Sequence, residues 1–355
     1  MSTIRLRPYV NSLKQRLFGR LRKDEQFSSI EIIHEKSETN FAPVISLPDE
    51  VQKITGTIAN HNLENHLRFF EPQRITHAPV LKYEMRDAFI LPNGISGRHR
   101  NINRAGKLDH AYLFGQPTVH LDIATYCLED RAFFFFGHWL RRFAQCLMAD
   151  KEAPLLHFAP ASWHHAPIYE DLFQLTSEPI GLYTVDRLIL FQDFSQSPHK
   201  ARHYNILRER LQERIERSSE AKNWIYLKRG GTGAPRLIQD EENLEGKLQN
   251  LGFDIIDLAC TPIDEIHRRC VGAEIGLTIE GSHADHLHWL LKPGGTLWIL
   301  NPSDHFNTSQ FAVAQSMGNK TACTVIEPLE NNKYHIDFNR LERALDLILS
   351  PDVVA

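Results

Sequence analysis

Three short segments carry residue types from which a site for an anionic substrate could be built. The first is Tyr226-Leu227-Lys228-Arg229-Gly230-Gly231-Thr232-Gly233, followed by Arg236. Glycines directly after an apolar run let backbone N–H groups approach a ligand closely, and arginine grips phosphate or carboxylate with two parallel bonds. These glycines do not form a GxGxxG fingerprint, and a solvated basic turn would have the same composition.

The second segment is Ile279-Glu280-Gly281-Ser282-His283-Ala284-Asp285-His286-Leu287-His288-Trp289. A strand runs into Gly-Ser and then into a helix. Ser282 reads as the N-cap, with Asp285 three residues on, close to a capping box. Such a start leaves N–H groups free for an anion, although an ordinary capped helix reads the same way. His283, His286 and His288 invite a metal reading, but only the first two share a helix face and no metal ligand set is assigned. The third segment is Phe136-Gly137-His138-Trp139-Leu140. Imidazole titrates near neutral pH, so His138 at a helix start is a candidate general base; a capping or packed histidine is the alternative.

The elements that must position these residues are clearest in the second half of the chain. Apolar strands are expected at 224–227, 253–258, 274–279, 296–300 and 322–326. Helices are expected at 203–218, 242–251, 262–271, 283–291, 305–317 and 338–349, with Gly252 closing one and Pro293-Gly294-Gly295 stopping another. Strands alternating with helices give βαβ units and a parallel sheet covered on both faces. Ligands of such sheets sit beyond the carboxyl ends of the strands, where the first two segments fall.

Residues 49–200 also read as α/β, with less regular spacing. Strands are expected at 80–83 and 88–91, joined by a charged turn, and at 119–124, 154–158 and 188–191. Helices are expected at 139–149 and 168–175, and Pro92-Asn93-Gly94 marks a turn. Residues 1–23 contain seven basic and no acidic residues, with Val10, Leu13, Leu17 and Leu21 at helical spacing. This basic amphipathic helix would dock on an anionic membrane surface, pack on its own domain, or fray as a terminus. The expected division is a basic helix and connector at 1–48, an α/β domain at 49–200, a Rossmann-like domain at 201–335, and a last helix within 336–355.

The chain has 355 residues, 42% hydrophobic and 24% charged, with a formal net charge of −4. That composition fits about two globular domains and gives no basic excess for nucleic acid. The five cysteines are an odd number without a CxxC pair, which argues against a disulfide scaffold or zinc ribbon and for a reducing compartment. No apolar run reaches the ~18 residues of a membrane span, and no signal peptide is expected.

Taken in order, the three segments resemble the glycosyltransferase family 61 proteins, in a bacterial branch associated with surface polysaccharides. Gly137-His138-Trp139 matches the family's His-Trp element, and Tyr226-Leu227-Lys228-Arg229 its strand ending in Ser-Arg. Arg236, Ile238, Asp240 and Glu241 match Arg-x-Ile-x-Asn-Glu. Gly281, His283 and Leu287, followed by Pro293-Gly294, match the Gly-x-His helix start. The resemblance covers roughly residues 120–345. Departures are Lys228 for Ser, Asp240 for Asn, Arg142 where the family carries Asp, Ala284 for Gly, and His288-Trp289 for Thr-Asn.

The resemblance implies an α/β protein of the GT-B type, with two Rossmann-like domains facing a cleft, the acceptor-side domain at 49–200, the nucleotide-sugar domain at 201–335, and the last helix crossing back to the first. It implies inverting transfer of a sugar from a nucleotide-sugar donor to the hydroxyl of a glycan or lipid-linked glycan acceptor. Arg229, Arg236, Gly281, Ser282 and His283 would line the donor site, with Glu241 orienting an arginine. The base would come from the first domain, His138 first and Asp122 second, with His164 and His165 as further candidates. No cofactor is firmly implied beyond the nucleotide sugar itself, and the need for a divalent metal is left open. Nucleic acid is not an expected partner. The expected location is the cytoplasm, peripheral on the inner membrane.

Two other classes remain. Leu291-Lys292-Pro293-Gly294-Gly295-Thr296-Leu297 looks like the strand entry of class I methyltransferases that use S-adenosylmethionine, although Lys228-Arg229 replaces their acidic residue. A non-catalytic nucleotide-sugar-binding protein of the same fold is the other.

Overall fold

A computed structural model describes residues 3–18, 27–99, 101–102, 118–127, 130–156, 165–230, 236–330 and 333–350. The chain opens with α1 (Thr3–Phe18), β1 (Ser29–His34), β2 (Ser37–Phe41), α2 (Leu63–Leu67) and β3 (Gln73–His77). There follow β4 (Val80–Leu91), β5 (Gly94–Ser96), β6 (Asn101–Ile102), β7 (Thr118–Tyr126), α3 (Phe136–Arg141), α4 (Phe143–Cys146), β8 (Leu155–Leu156), α5 (Pro167–Leu172) and β9 (Leu182–Gln192). The second half holds α6 (Pro198–Glu213), β10 (Trp224–Lys228), β11 (Leu237–Ile238), α7 (Glu241–Asn250), β12 (Asp254–Asp257), α8 (Ile263–Cys270), β13 (Ala273–Ile279) and α9 (Asp285–Leu290). It ends with β14 (Leu291–Pro302), α10 (Ser309–Ser316), β15 (Lys320–Pro328), β16 (Lys333–His335) and α11 (Phe338–Leu349).

These elements form two compact units, residues 1–37 with 77–195 and residues 38–76 with 196–355. The first unit has a mixed sheet in the order β6-β5-β4-β9-β7-β8, with β1 also on β4. β4 runs antiparallel to β1, β5 and β9, whereas β7 runs parallel to both β8 and β9. The turn expected at Pro92-Asn93 is there, pairing Leu91 with Gly94. The charged turn expected within 84–87 is not: β4 is one strand through these residues. Its ladder with β9 keeps register on both sides of Asp87, which takes a left-handed φ of 54°. The helix expected at 139–149 is two short pieces, α3 and α4. Between β7 and β9 their rings form an aromatic cluster: Trp139 meets Phe143 edge-on, and Phe143 meets Phe173. Arg142 is buried with its guanidinium 4.4 Å from the centre of the Phe143 ring and 3.7 Å from Glu170. Cation–π contact and an ion pair thus tie it into this core.

The second unit carries a sheet in the order β12-β10-β13-β14-β15-β16-β11. The five strands β12, β10, β13, β14 and β15 run parallel to one another. Counted in chain order they run 2-1-3-4-5, a doubly wound arrangement with its switch point between β10 and β13. Leu244 and Leu248 of α7 share a core with Leu341, Leu345 and Ile348 of α11, while α9 touches α6, α8 and α10. The short β11 and β16, outside the expected strands, extend the edge, with β16 antiparallel to β15.

Residues 38–76 fold with this second unit rather than serving as connector and domain start. Ile45 bridges to Ala322 beside β15, and its carbonyl accepts from Cys323 N–H at 2.9 Å. Thr55 and Gly56 N–H groups donate to Ser303 O, and Phe306 N–H returns to Gly56 O. This lacing fixes the 303–308 loop. The last helix, α11, also packs within the second unit.

Candidate functional site

Three chain segments come together at the switch point of the second unit. β10 ends at Lys228 and delivers Arg229, after which Gly230 turns the chain with φ +59°. β13 is prolonged by Glu280, whose N–H donates to Leu300 O at 2.9 Å. Gly281 then breaks the strand with φ 152°, and residues Ser282–Ala284 form one tight helical turn before α9. Past β14, the loop carrying Asn307 returns to the same place.

Glu280 is the hub. Its carbonyl accepts from Arg229 Nη1 at 2.9 Å and from Arg236 Nη1 at 3.2 Å. Its buried carboxylate pairs with Arg236 at 3.1 Å through Oε2 and accepts from Asn307 Nδ2 at 2.7 Å through Oε1. Asn307 is itself held by reciprocal bonds with Asn301. Burial, with the charge of Arg236 second, pulls the Arg229 pKa down to about 10, so the guanidinium stays charged at neutral pH. Like charges drawn together out of water are stabilised by an anion placed against them.

Gly281 is required by its neighbours. Any side chain there would meet an unfavourable φ, and a Cβ would stand 2.5 Å from Arg229 Nη1 and 2.9 Å from His283 Nδ1. The tautomer of His283 follows from its partners. The Thr278 hydroxyl donates to Leu227 O at 2.7 Å, so its oxygen accepts from His283 Nε2–H at 2.8 Å. That leaves Nδ1 with a lone pair on the arginine side. Desolvation first, then the charges of Arg229 and Arg236, hold the His283 pKa well below 6.5, so the ring is neutral at neutral pH.

α9 is fixed from below by Gln310 of α10. Its Nε2 donates to Gly281 O and to Asp285 Oδ2, both at 3.1 Å, and its Oε1 accepts from His288 Nε2 at 2.7 Å. The expected cap role of Ser282 is not realised: Gly281 holds the cap position of the turn, and Ala284 that of α9. Asp285, fully buried, serves Gln310 instead. His283 and His288 point to different partners.

Arg229, Arg236, Gly281 and His283 are therefore assembled as a group, with Ser282 half-buried in the same turn. Glu241 stands apart: at the start of α7 it accepts from the Tyr226 hydroxyl at 2.9 Å. With Glu245 and Asp257 it surrounds Lys228, which donates to Glu245 at 2.6 Å. Residues 231–235, holding the rest of the glycine run, lie outside the described residues. Sequence reading missed Thr278, Glu280, Asn307, Gln310 and His305 as site residues. The pKa of His305 is lowered by burial first and then by Arg236. None of the five carries a spacing signal; only Glu280, beside the key glycine, was legible as a neighbour.

The base candidates belong to the first unit. His138 is half-buried in the first turn of α3, its ring 6.0 Å from that of Phe135. Phe134 and Phe135 are exposed and Phe136 is buried. Asp122 lies within β7, fully exposed, 3.5 Å from His120. His120 is equally close to Asp186 of β9, and the three offer ligand atoms within 4.8 Å of one another. His164 lies outside the described residues. No described helix is long and apolar enough to cross a membrane.

Residues 136–297 match the family model described as Glycosyltransferase 61. The matched stretch takes in His138, Arg229, Arg236, Glu241, Gly281, Ser282 and His283; Asp122 precedes it. No curated protein matches the chain.

Proposed function

We propose that the protein is an inverting glycosyltransferase that moves a sugar from a nucleotide-sugar donor to a hydroxyl acceptor. The family match supports a transferase of glycosyl groups. The observation that carries the reading is the convergence of Arg229 and Arg236 on Glu280 at the switch point of a 2-1-3-4-5 sheet. Ligands of such sheets bind there, and two guanidinium groups suit a diphosphate.

In this reading the acceptor oxygen attacks the anomeric carbon as the bond to the donor phosphate breaks. The nucleoside diphosphate leaves with the bonding electrons, and its growing charge falls to Arg229 and Arg236. Neutral His283 accepts at Nδ1 from a donor hydroxyl. The acceptor's proton passes to a base, with His138 ahead of Asp122 as the candidate. The Glu280-Gly281-Ser282 form of the turn is the ground for a place in surface-polysaccharide synthesis.

Titration with UDP-, GDP-, CMP- and dTDP-sugars and with S-adenosylmethionine tests the proposal. One nucleotide sugar should bind, and Arg229→Ala should weaken it about 10- to 100-fold, the worth of a charge-assisted bond. Binding of S-adenosylmethionine alone, or nucleotide affinity unchanged in Arg229→Ala and Arg236→Ala, would overturn it. Binding without turnover of any hydroxyl acceptor would favour the non-catalytic class.

A further inference from the structure

α1 lies on the first unit by one face and offers another to solvent. Ile4 packs against Phe89, Leu91 and Leu182, and Pro8 is buried. Asn11, fully buried, donates to Ser96 Oγ at 3.2 Å and to Gly97 O at 2.8 Å. Gln15 Nε2 reaches Asn101 O at 3.2 Å, and Asn101 Nδ2 returns to Pro8 O at 2.8 Å. The inward face is therefore fixed largely by polar bonds.

The outward face is apolar. Leu6, Val10, Leu13 and Leu17 are 42%, 46%, 58% and 66% exposed. At about 100° per residue these four fall within a stripe roughly 60° wide, running ~16 Å along the helix. Basic residues flank it on both sides. Arg7 and Lys14 lie on one flank, Arg5 and Arg16 on the other, and no acidic residue occurs in the helix. Arg5 donates to Thr118 and Arg7 to Asp87 O, which holds the helix in this rotation; Lys14 and Arg16 are exposed. The sequence continues with Arg20, Arg22 and Lys23.

We propose that this face docks on a bilayer surface containing anionic lipid. A narrow stripe bordered by cations is the geometry of a helix lying in the headgroup plane, apolar side chains inserted and basic ones extended to phosphates. Four aliphatic side chains supply only part of the ~800 Å² per partner of a stable protein interface. This inference does not depend on the glycosyltransferase reading.

Co-sedimentation of the full chain with vesicles tests it. Vesicles of phosphatidylcholine with about a third phosphatidylglycerol should bind at least ~10-fold better than phosphatidylcholine alone, and high salt should remove the difference. Leu13→Ser/Leu17→Ser and Lys14→Glu/Arg16→Glu should each abolish binding with the thermal midpoint unchanged, since all four side chains are exposed. Single Leu17→Ser, the most exposed position, gives the same reading should a double variant fail to fold. Equal binding to both vesicle types, no binding, or full binding by the charge-reversed variant would overturn the proposal. So would a wild-type dimer in solution that Leu13→Ser/Leu17→Ser converts to monomer, because the stripe would then be a protein interface.

Discussion

His283 donates from Nε2 to the hydroxyl of Thr278 across 2.8 Å, and that single bond decides which face its lone pair presents. Thr278→Val keeps the volume and removes the hydroxyl, leaving Leu227 O without this donor and the imidazole without its tautomer lock. Donor affinity should fall about tenfold, in line with ~1–1.5 kcal/mol for a lost hydrogen bond. Thr278→Ser should restore it. Isothermal titration with the donor nucleotide, beside a thermal melt, separates this from unfolding.

The same histidine gives a signed pH dependence. Its folded pKa lies well below 6.5, so the unfolded chain binds its proton first as the pH falls. Its contribution to stability is complete above 6.5 and is lost as the pH drops from there toward the folded value. Urea unfolding at pH 7.5 and pH 5.5 should show a decrease in wild type that is smaller in His283→Asn. Equal decreases in both proteins would refute the assignment.

Gly281→Ala should move Arg229. The added Cβ would stand 2.5 Å from its Nη1, in a backbone conformation costing on the order of 1–3 kcal/mol for any other residue. The expected result is a melting point lower by several degrees together with donor affinity reduced as far as in Arg229→Ala. Normal affinity in a stable Gly281→Ala protein would show that Arg229 does not bind the donor from its present position.

His138→Ala should reduce kcat by at least ~10²-fold if the imidazole takes the acceptor proton, with donor affinity nearly unchanged. Steady-state kinetics against both substrates decides it. A loss below tenfold, or one confined to the acceptor KM, moves the role to Asp122.

Arg340 of α11 binds Asp49 through both guanidinium nitrogens, at 2.7 and 2.8 Å, and Glu50 at 2.9 Å. Glu50 is completely buried, its other oxygen accepting from Val325 N–H. Arg340→Ala leaves that carboxylate without its countercharge and should cost on the order of 3 kcal/mol; adding Glu50→Gln should recover much of it. Arg340 also holds Asp49 down to about 2, so this contribution is full above 3.8 and lost as the pH falls from there to about 2. Denaturant unfolding of the two variants measures both effects.

The regular part of the second unit was legible because each strand is an apolar run bounded by glycine or proline. Residues 338–349 form a helix with the bounds that their spacing predicts. Glu84, Arg86 and Asp87 look like a turn in sequence, yet they run within β4, where Glu84 pairs with Arg86 at 3.6 Å and with Arg187 of β9, about a hundred residues on, at 3.9 Å. The same limit governs the site. Arg229, Arg236 and His283 announce themselves by residue type and setting. Thr278, Asn307 and Gln310 act through partners brought by the sheet, and no local pattern marks them.

Residues 44–57 have a further consequence, in the making of the protein. Glu50 bonds Val325, 275 residues later in the chain, and the stretch 77–195, which folds with residues 1–37 as the other unit, is synthesised in the interval. At ~5–20 residues per second a ribosome needs roughly 14–55 s to cover that distance. For that time the early segment is out of the tunnel with neither the β15 edge nor Arg340 to receive it. The unit formed by residues 1–37 and 77–195 can be complete while the other still lacks β15. Nascent-chain capture should therefore find chaperones on residues 38–76 until β15 emerges.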